Sequence, residues 1–129
     1  MSDPETTVAA LKGEILSFVR ERDWEQFHSP KNLSMALAAE AAELMEHFLW
    51  VESRESTARL NEPGRRERVE EELADILIYA LEFANMTGID ATRAIREKIR
   101  KNSRRYPVGQ CKGRALKYDE LPKAPPPDA

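Results

Sequence analysis

Lys31–Val51, KNLSMALAAEAAELMEHFLWV, consists almost entirely of strong helix formers with no internal glycine or proline, and predicts a long α-helix. Leu33, Leu37, Leu44 and Phe48 recur at helical spacing and define its core stripe. Glu40 falls within that stripe, between Leu37 and Leu44, and Glu43 lies one turn on, beside it. A carboxylate on an apolar stripe is costly unless its charge is compensated. The simplest compensation is a Lys or Arg three or four residues away. Around Glu40 those positions hold Ala36, Leu37, Glu43 and Leu44, and around Glu43 they hold Ala39, Glu40, Glu46 and His47. No cation is in reach on the helix itself, so the compensation has to come from elsewhere.

Upstream, residues 1–6 (MSDPET) predict a short disordered lead. Val8, Leu11, Ile15, Phe18 and Val19 then repeat at helical spacing, giving an amphipathic helix from about Thr7 to Asp23. Trp24–Pro30, WEQFHSP, is a connector, because the residue before a proline is biased away from helical backbone. Ser29 is placed to cap the long helix. Downstream, VESRESTARLNEPGRR predicts a solvated loop that admits a short helical piece. A third helix follows from Arg65 to Met86, with Val69, Leu73, Ile76, Leu77, Ala80, Phe83 and Ala84 as its core face. Gly88 ends it, and Asp90 caps a fourth helix from Ala91 to about Ser103. Tyr106-Pro107 stops the fourth helix, and the remainder is expected to be extended, with residues 122–129 a Pro-rich frayed tail. No stretch reads as a strand or a repeat. The fold class is therefore all-α, a four-helix bundle-like domain over residues 7–121, completed by a second copy of the chain.

Composition bounds the function. A chain of 129 residues is one domain by length. Its net charge of −3 gives no global reason to expect nucleic acid or a membrane surface as partner. The single cysteine, Cys111, rules out an intrachain disulfide framework and suits a reducing compartment. With no apolar run of spanning length and no signal-peptide pattern at residues 1–10, the expectation is a soluble cytoplasmic protein.

The third helix carries a second acidic pair. Within EEELADILIY, Glu72 and Asp75 stand three apart and share a face. Apart from Arg68, neither has a basic neighbour at helical spacing. If the two long helices pack antiparallel, four carboxylates converge, and such a group has to be protonated or held by a cation. Oxygen donors select hard ions, here Mg²⁺ with Mn²⁺ as a substitute. Either pair taken singly is more often a solvated helix face. The two pairs together, both short of cationic partners, favour a metal. A di-iron site fits less well, because those bundles use Glu-x-x-His and none occurs here.

A carboxylate-held Mg²⁺ keeps positions open for substrate phosphates. Lys98, Asn102 and Arg105, in REKIRKNSRRYP, share one helical face and suit phosphate. Their bland alternative is a basic face that balances the acids. Trp24, Phe27, Trp50 and Tyr79 lie near helix ends or beside the acids, where an aromatic can stack on a base. Each of these alone is more often core, and His28 alone is more often a capping or packing residue.

The combination DWEQFHSPKNL, the E-A-A-E of Glu40–Glu43, FLW, EELADILIY and K-x-x-x-N-x-x-RYP resembles the all-α MazG-like nucleoside triphosphate pyrophosphohydrolases, most of all their dCTP pyrophosphatase branch. The likeness runs from about Leu11 to Leu121. It implies Mg²⁺ ligands at Glu40, Glu43, Glu72 and Asp75, with Glu40 or Glu43 as catalytic base. It implies phosphate contacts at Lys98, Asn102, Arg105 and Tyr106, and a nucleoside pocket at Trp24, Trp50 and Tyr79 with His28 nearby. It further implies a homodimer or homotetramer acting on a (deoxy)nucleoside triphosphate. One position departs: a base-pocket site that holds His in dCTP-specific members is Ile15 here. That departure touches base selectivity rather than the reaction. Two readings from other classes stand beside it. One is a non-catalytic oligomer with its acids paired to interchain Arg or Lys. The other is a nucleic-acid-binding bundle using the Arg93–Arg105 helix.

Overall fold

A computed structural model of the chain describes residues 1–123, and every regular element among them is helical. The principal helices are α1 (Val8–Glu21), α2 (Pro30–Glu46), α3 (Ser56–Arg59), α4 (Arg65–Thr87), α5 (Ala91–Arg105) and α6 (Val108–Cys111). The chain divides into two compact units, Met1–Ile89 and Asp90 onward.

Local chemistry sets the helix ends in the first unit. Thr7 caps α1, its side chain accepting from the Ala10 N–H at 3.1 Å. Ser29 does the same for α2 through the Asn32 N–H at 3.1 Å, and Pro30 occupies the first helical position, where its missing N–H costs nothing. Glycines bracket α4: Gly64 precedes it at φ +71° and Gly88 follows it at φ +69°. Left-handed backbone of this kind suits glycine because a Cβ would clash. At Gly88 it lets the Ile89 N–H reach back to the Ala84 carbonyl at 3.1 Å.

Within this unit α2 and α1 both pack on α4. Val19, Leu33 and Ala84 are the fully buried apolar residues, one from each helix. Polar ties fix the register at both ends. Asn85 Nδ2 donates to the Lys12 carbonyl at 2.9 Å, and Lys12 Nζ donates to the Ile89 carbonyl at 3.1 Å. At the other end, Arg59 Nε donates to the His47 carbonyl at 3.0 Å and Arg65 meets His47 Nδ1 at 3.0 Å. Leu33 is 1% exposed at the centre of a small core. Leu33→Ala is therefore expected to destabilise the fold by about 2–5 kcal/mol in urea unfolding. A loss below about 1 kcal/mol would mean that the core lies elsewhere.

The second unit starts with Asp90, whose Oδ1 accepts from the Arg93 N–H at 2.7 Å to cap α5. Across α6, Tyr106 before it and Tyr118 after it meet edge to face at 6.3 Å, with the Arg105 guanidinium 4.8 Å over the Tyr118 ring.

Several sequence expectations need correction. The long helix ends at Glu46, and residues 47–50 form turns, because the Phe48 N–H bonds to the Met45 carbonyl in a tighter loop. Asp3–Glu5, in the expected disordered lead, forms a 3-10 turn capped by Ser2 and Glu5. The segment after Tyr106-Pro107 is not wholly extended, since α6 and a 3-10 turn at Tyr118–Glu120 occupy it. Residues 124–129 of the expected tail lie outside the described residues. Leu73 and Leu77, assigned to the core face of α4, are 47% and 53% exposed. They stand four residues apart on a face that a single chain leaves uncovered.

Candidate active site

Placing α2 against α4 brings the two acidic pairs together. Carboxylate oxygens of Glu40, Glu43 and Glu72 all lie within 4.8 Å of one another. Glu40 and Glu72 are half-buried and Glu43 is exposed. Asp75 stands outside that tight group, yet near enough for its charge to act on Glu40. Among the described residues no Lys or Arg forms an ion pair with any of the four. Arg59, at the end of α3, and Arg65, at the start of α4, are engaged otherwise. Arg59 and Arg65 bind Glu62, and the Arg65 hydrogen bond in particular holds the Glu62 carboxyl below its usual range.

Crowded acids without a cation respond by holding protons. Glu40 is pushed up to about 7 from 4.5, first by burial, then by the proximity and charge of Glu43, with Asp75 and Glu72 adding to it. Glu72 is raised as well, by burial and then by Glu43. One Glu40 oxygen, Oε2, is buried with no hydrogen-bond partner. Such an arrangement fits a hard divalent cation. The donors are all carboxylate oxygens, they converge, and one is buried and unsatisfied.

The face of α4 that carries Glu72 and Asp75 continues, at helical spacing, through Ile78 and Tyr79 to Glu82. Asp75 and the residues beyond it open onto a cavity of about 220 Å³, walled on the other side by Ile15, Phe18, Val19, Trp24 and His28. Phe18 and Trp24 form an edge-to-face pair at 5.8 Å, fixing the orientation of the indole. Because Asp75 lines this cavity, it joins it to the acidic group.

Trp24, His28, Asp75 and Tyr79 thus share one cavity beside Glu40, Glu43 and Glu72. Trp50 does not join them within one chain. It is 94% exposed and lines a separate depression with Val51, Glu55, Ala58, Arg59 and Glu62. Lys98, Asn102 and Arg105 fall on α5 and Tyr106 at its end, in the second unit. Ile15, the departure on α1, is a wall of the cavity.

Sequence reasoning missed Glu82. It is 1% exposed, and neither carboxylate oxygen has a hydrogen-bond partner. His28 Nδ1 lies 3.5 Å from Oε2 and is itself without a hydrogen bond. An unpaired buried polar group costs about 1–3 kcal/mol, and more when charged. A signal was available: Glu82 is the one charged residue in the apolar stretch ILIYALEFA, 76–84.

Known proteins share this arrangement of sequence. Residues 35–121 match the model of the MazG-like family. The chain is 41% identical to rat dCTP pyrophosphatase 1 over 120 residues, covering 93% of this chain and 71% of the relative. It is 40% identical to the human dCTP pyrophosphatase 1 over 119 residues, covering 92% and 70%. Among solved structures, a pyrophosphatase from Archaeoglobus fulgidus superposes with a TM-score of 0.70 at 38% identity, covering 74% of this chain and 87% of that one. The convergent acids, the all-helical scaffold and the match over residues 35–121 lead to one conclusion: this chain belongs to the MazG-like family.

Proposed function

We infer that this chain hydrolyses a nucleoside triphosphate, of the dCTP type, to the monophosphate and pyrophosphate. The observation that carries this reading is the continuity of one α4 face, from Glu72 in the acidic group, through Asp75, to the aromatic cavity. Phosphates and base of one molecule need two such subsites side by side. The identity to the dCTP pyrophosphatases supports the reaction class.

Glu40, Glu43, Glu72 and Asp75 are the residues that would hold a divalent cation, Mg²⁺ by preference and Mn²⁺ as a substitute. A bound Mg²⁺ supplies Lewis-acid neutralisation of the negative charge that builds on the leaving pyrophosphate. The chain's own residues do the rest. Glu43, exposed beside the cavity, or Glu40, half-buried, accepts the proton of the attacking water. The oxygen of that water bonds to the α-phosphorus while the bond to the bridging oxygen breaks. Trp24 and Tyr79 flank the base, and His28 lies at its edge. Lys98, Asn102 and Arg105 are the donors proposed for the phosphates, on the strength of their hydrogen-bonding groups and shared helical face, and Tyr106, at the end of α5, joins them through the family resemblance. The exposed Leu73, Leu77 and Trp50 support assembly as a homodimer or homotetramer, in which a second copy covers apolar surface. No described helix is long and apolar enough to cross a membrane.

The test is a panel of deoxynucleoside and ribonucleoside triphosphates with Mg²⁺, scored for pyrophosphate against orthophosphate. Pyrophosphate as sole inorganic product, ranked with dCTP foremost, is expected. Orthophosphate alone would remove the reading.

A further inference from the structure

We propose that Glu82 selects the base: its carboxylate, set in the wall of the aromatic cavity, accepts a hydrogen bond from an exocyclic amino group, so that an amino pyrimidine is taken over its keto counterpart. The proposal rests on the pyrophosphohydrolase reading and deepens it.

The side chain is buried to 1% exposure, lines the cavity, and has no partner for either oxygen. Its neighbours in the cavity wall are almost all apolar or aromatic: Ile15, Phe18, Val19, Trp24, Ile78 and Tyr79. Their ring faces and aliphatic surfaces accept any flat ring, and the hydrogen-bonding groups they carry are the Trp24 indole N–H and the Tyr79 hydroxyl. Asp75 sits on the side of the acidic group, which leaves Glu82 as the carboxylate, with His28 beside it, against the base. His28 Nδ1 lies 3.5 Å from Oε2, a short shift from donating to it. With Oε2 turned to His28, Oε1 is the acceptor left for a ligand.

An ionised carboxylate accepts hydrogen bonds and cannot donate them. Cytosine presents an amino donor at the position where uracil and thymine present a carbonyl oxygen. The same Glu82 oxygen therefore attracts the first base and repels the second, so discrimination is built from both signs. An internal ion pair with His28 does not account for the site, because it occupies Oε2 alone and leaves Oε1 buried without a partner. Nor does Ile15, which has no polar atom to offer. A cavity of about 220 Å³ lies below the usual range for whole drug-sized ligands and suits a single small ring.

The experiment measures kcat/KM for dCTP and dUTP, by pyrophosphate release with Mg²⁺, in the full chain and in Glu82→Gln and Glu82→Ala. The unsubstituted chain is expected to favour dCTP, and both variants to lose about 10- to 100-fold of the dCTP/dUTP ratio. The ratio isolates recognition from folding, since a residue that only supports packing slows both substrates alike. An unchanged ratio in Glu82→Gln, which keeps the side-chain shape, overturns the proposal. So does equal turnover of dCTP and dUTP by the unsubstituted chain, and in that case the pyrophosphohydrolase reading stands. Absence of pyrophosphate from every triphosphate removes that reading, and the role of Glu82 with it. Should Glu82→Ala fail to fold, Glu82→Gln and competition between the two substrates on the unsubstituted chain decide the question.

Discussion

Replacing Glu43 with Ala is expected to lower pyrophosphate release by roughly 10³-fold or more while leaving the helical fold intact. The two halves of that expectation have different causes. Activity falls because Glu43 is the exposed member of a group whose oxygens lie within 4.8 Å of one another, and it is a candidate both for holding the cation and for taking the water's proton. The fold survives because Glu43 makes no ion pair and no side-chain hydrogen bond with a neutral or basic group among the described residues, and Ala is a better helix former. Removing one of three mutually repelling acids is also expected to raise the melting temperature of the metal-free protein by a few degrees, about 2–4 °C. Glu43 is the largest neighbouring influence on Glu40 after burial, so Glu40 should return toward the ordinary carboxylate range in the variant. Circular dichroism melts in EDTA, alongside the pyrophosphate assay, check both halves. Activity within tenfold of the unsubstituted chain would take Glu43 out of the site. A lower melting temperature would show the carboxylate to be structural.

Chelation is the second large effect. Excess EDTA is expected to abolish turnover, with recovery on adding Mg²⁺ or Mn²⁺, and persistent activity in EDTA would rule out metal dependence. The chelated protein also has a distinctive pH dependence. The folded state holds the Glu40 proton up to about 7, whereas the ordinary value is 4.5, so the folded chain binds the proton more tightly than the unfolded chain. The resulting stability is complete below about pH 4.5 and is lost as pH rises through about 7. Solvent reaches this half-buried group, so the loss is on the order of 1 kcal/mol rather than the full value of the shift. Glu72, also raised, acts in the same direction, and Glu43 and Asp75 are the charges that face the pair. A divalent cation reverses the trend, because it binds the deprotonated acids and its stabilisation grows with pH. Melting temperatures at pH 5, 6, 7 and 8, with EDTA and with Mg²⁺, should therefore diverge as pH rises. Parallel curves would mean that the acids do not share an ion.

Much of this was legible from local chemistry. Ser29-Pro30 announces the start of α2, Gly88 and Asp90 mark the boundary between α4 and α5, and periodicity places Glu40 with Glu43 and Glu72 with Asp75 on their helix faces. Each of these rests on contacts within a few residues, which an isolated stretch of chain already contains. The missing cations were legible too, since ion pairs at helical spacing depend on sequence alone.

Other features depend on which helix lies against which, and at what angle. The sequence sets the faces of α2 and α4, but not the crossing that brings Glu72 into the tight group and leaves Asp75 at its edge, where the cavity begins. Leu73 and Leu77 carry the right spacing for a core and still face outward, because α4 is apolar over more of its circumference than α1 and α2 can cover. Trp50 reads as a stacking residue until the turns after Glu46 carry it away from the cavity within one chain. Glu82 looks like an ordinary acid in a long helix. Only the closing of α1 and the His28 connector over α4 removes it from water and turns it into a buried acceptor without a hydrogen bond, His28 Nδ1 standing 3.5 Å from one of its oxygens. Periodicity is a property of one helix, whereas burial is a property of a pair, and the pairing of these helices is what the tertiary structure decided.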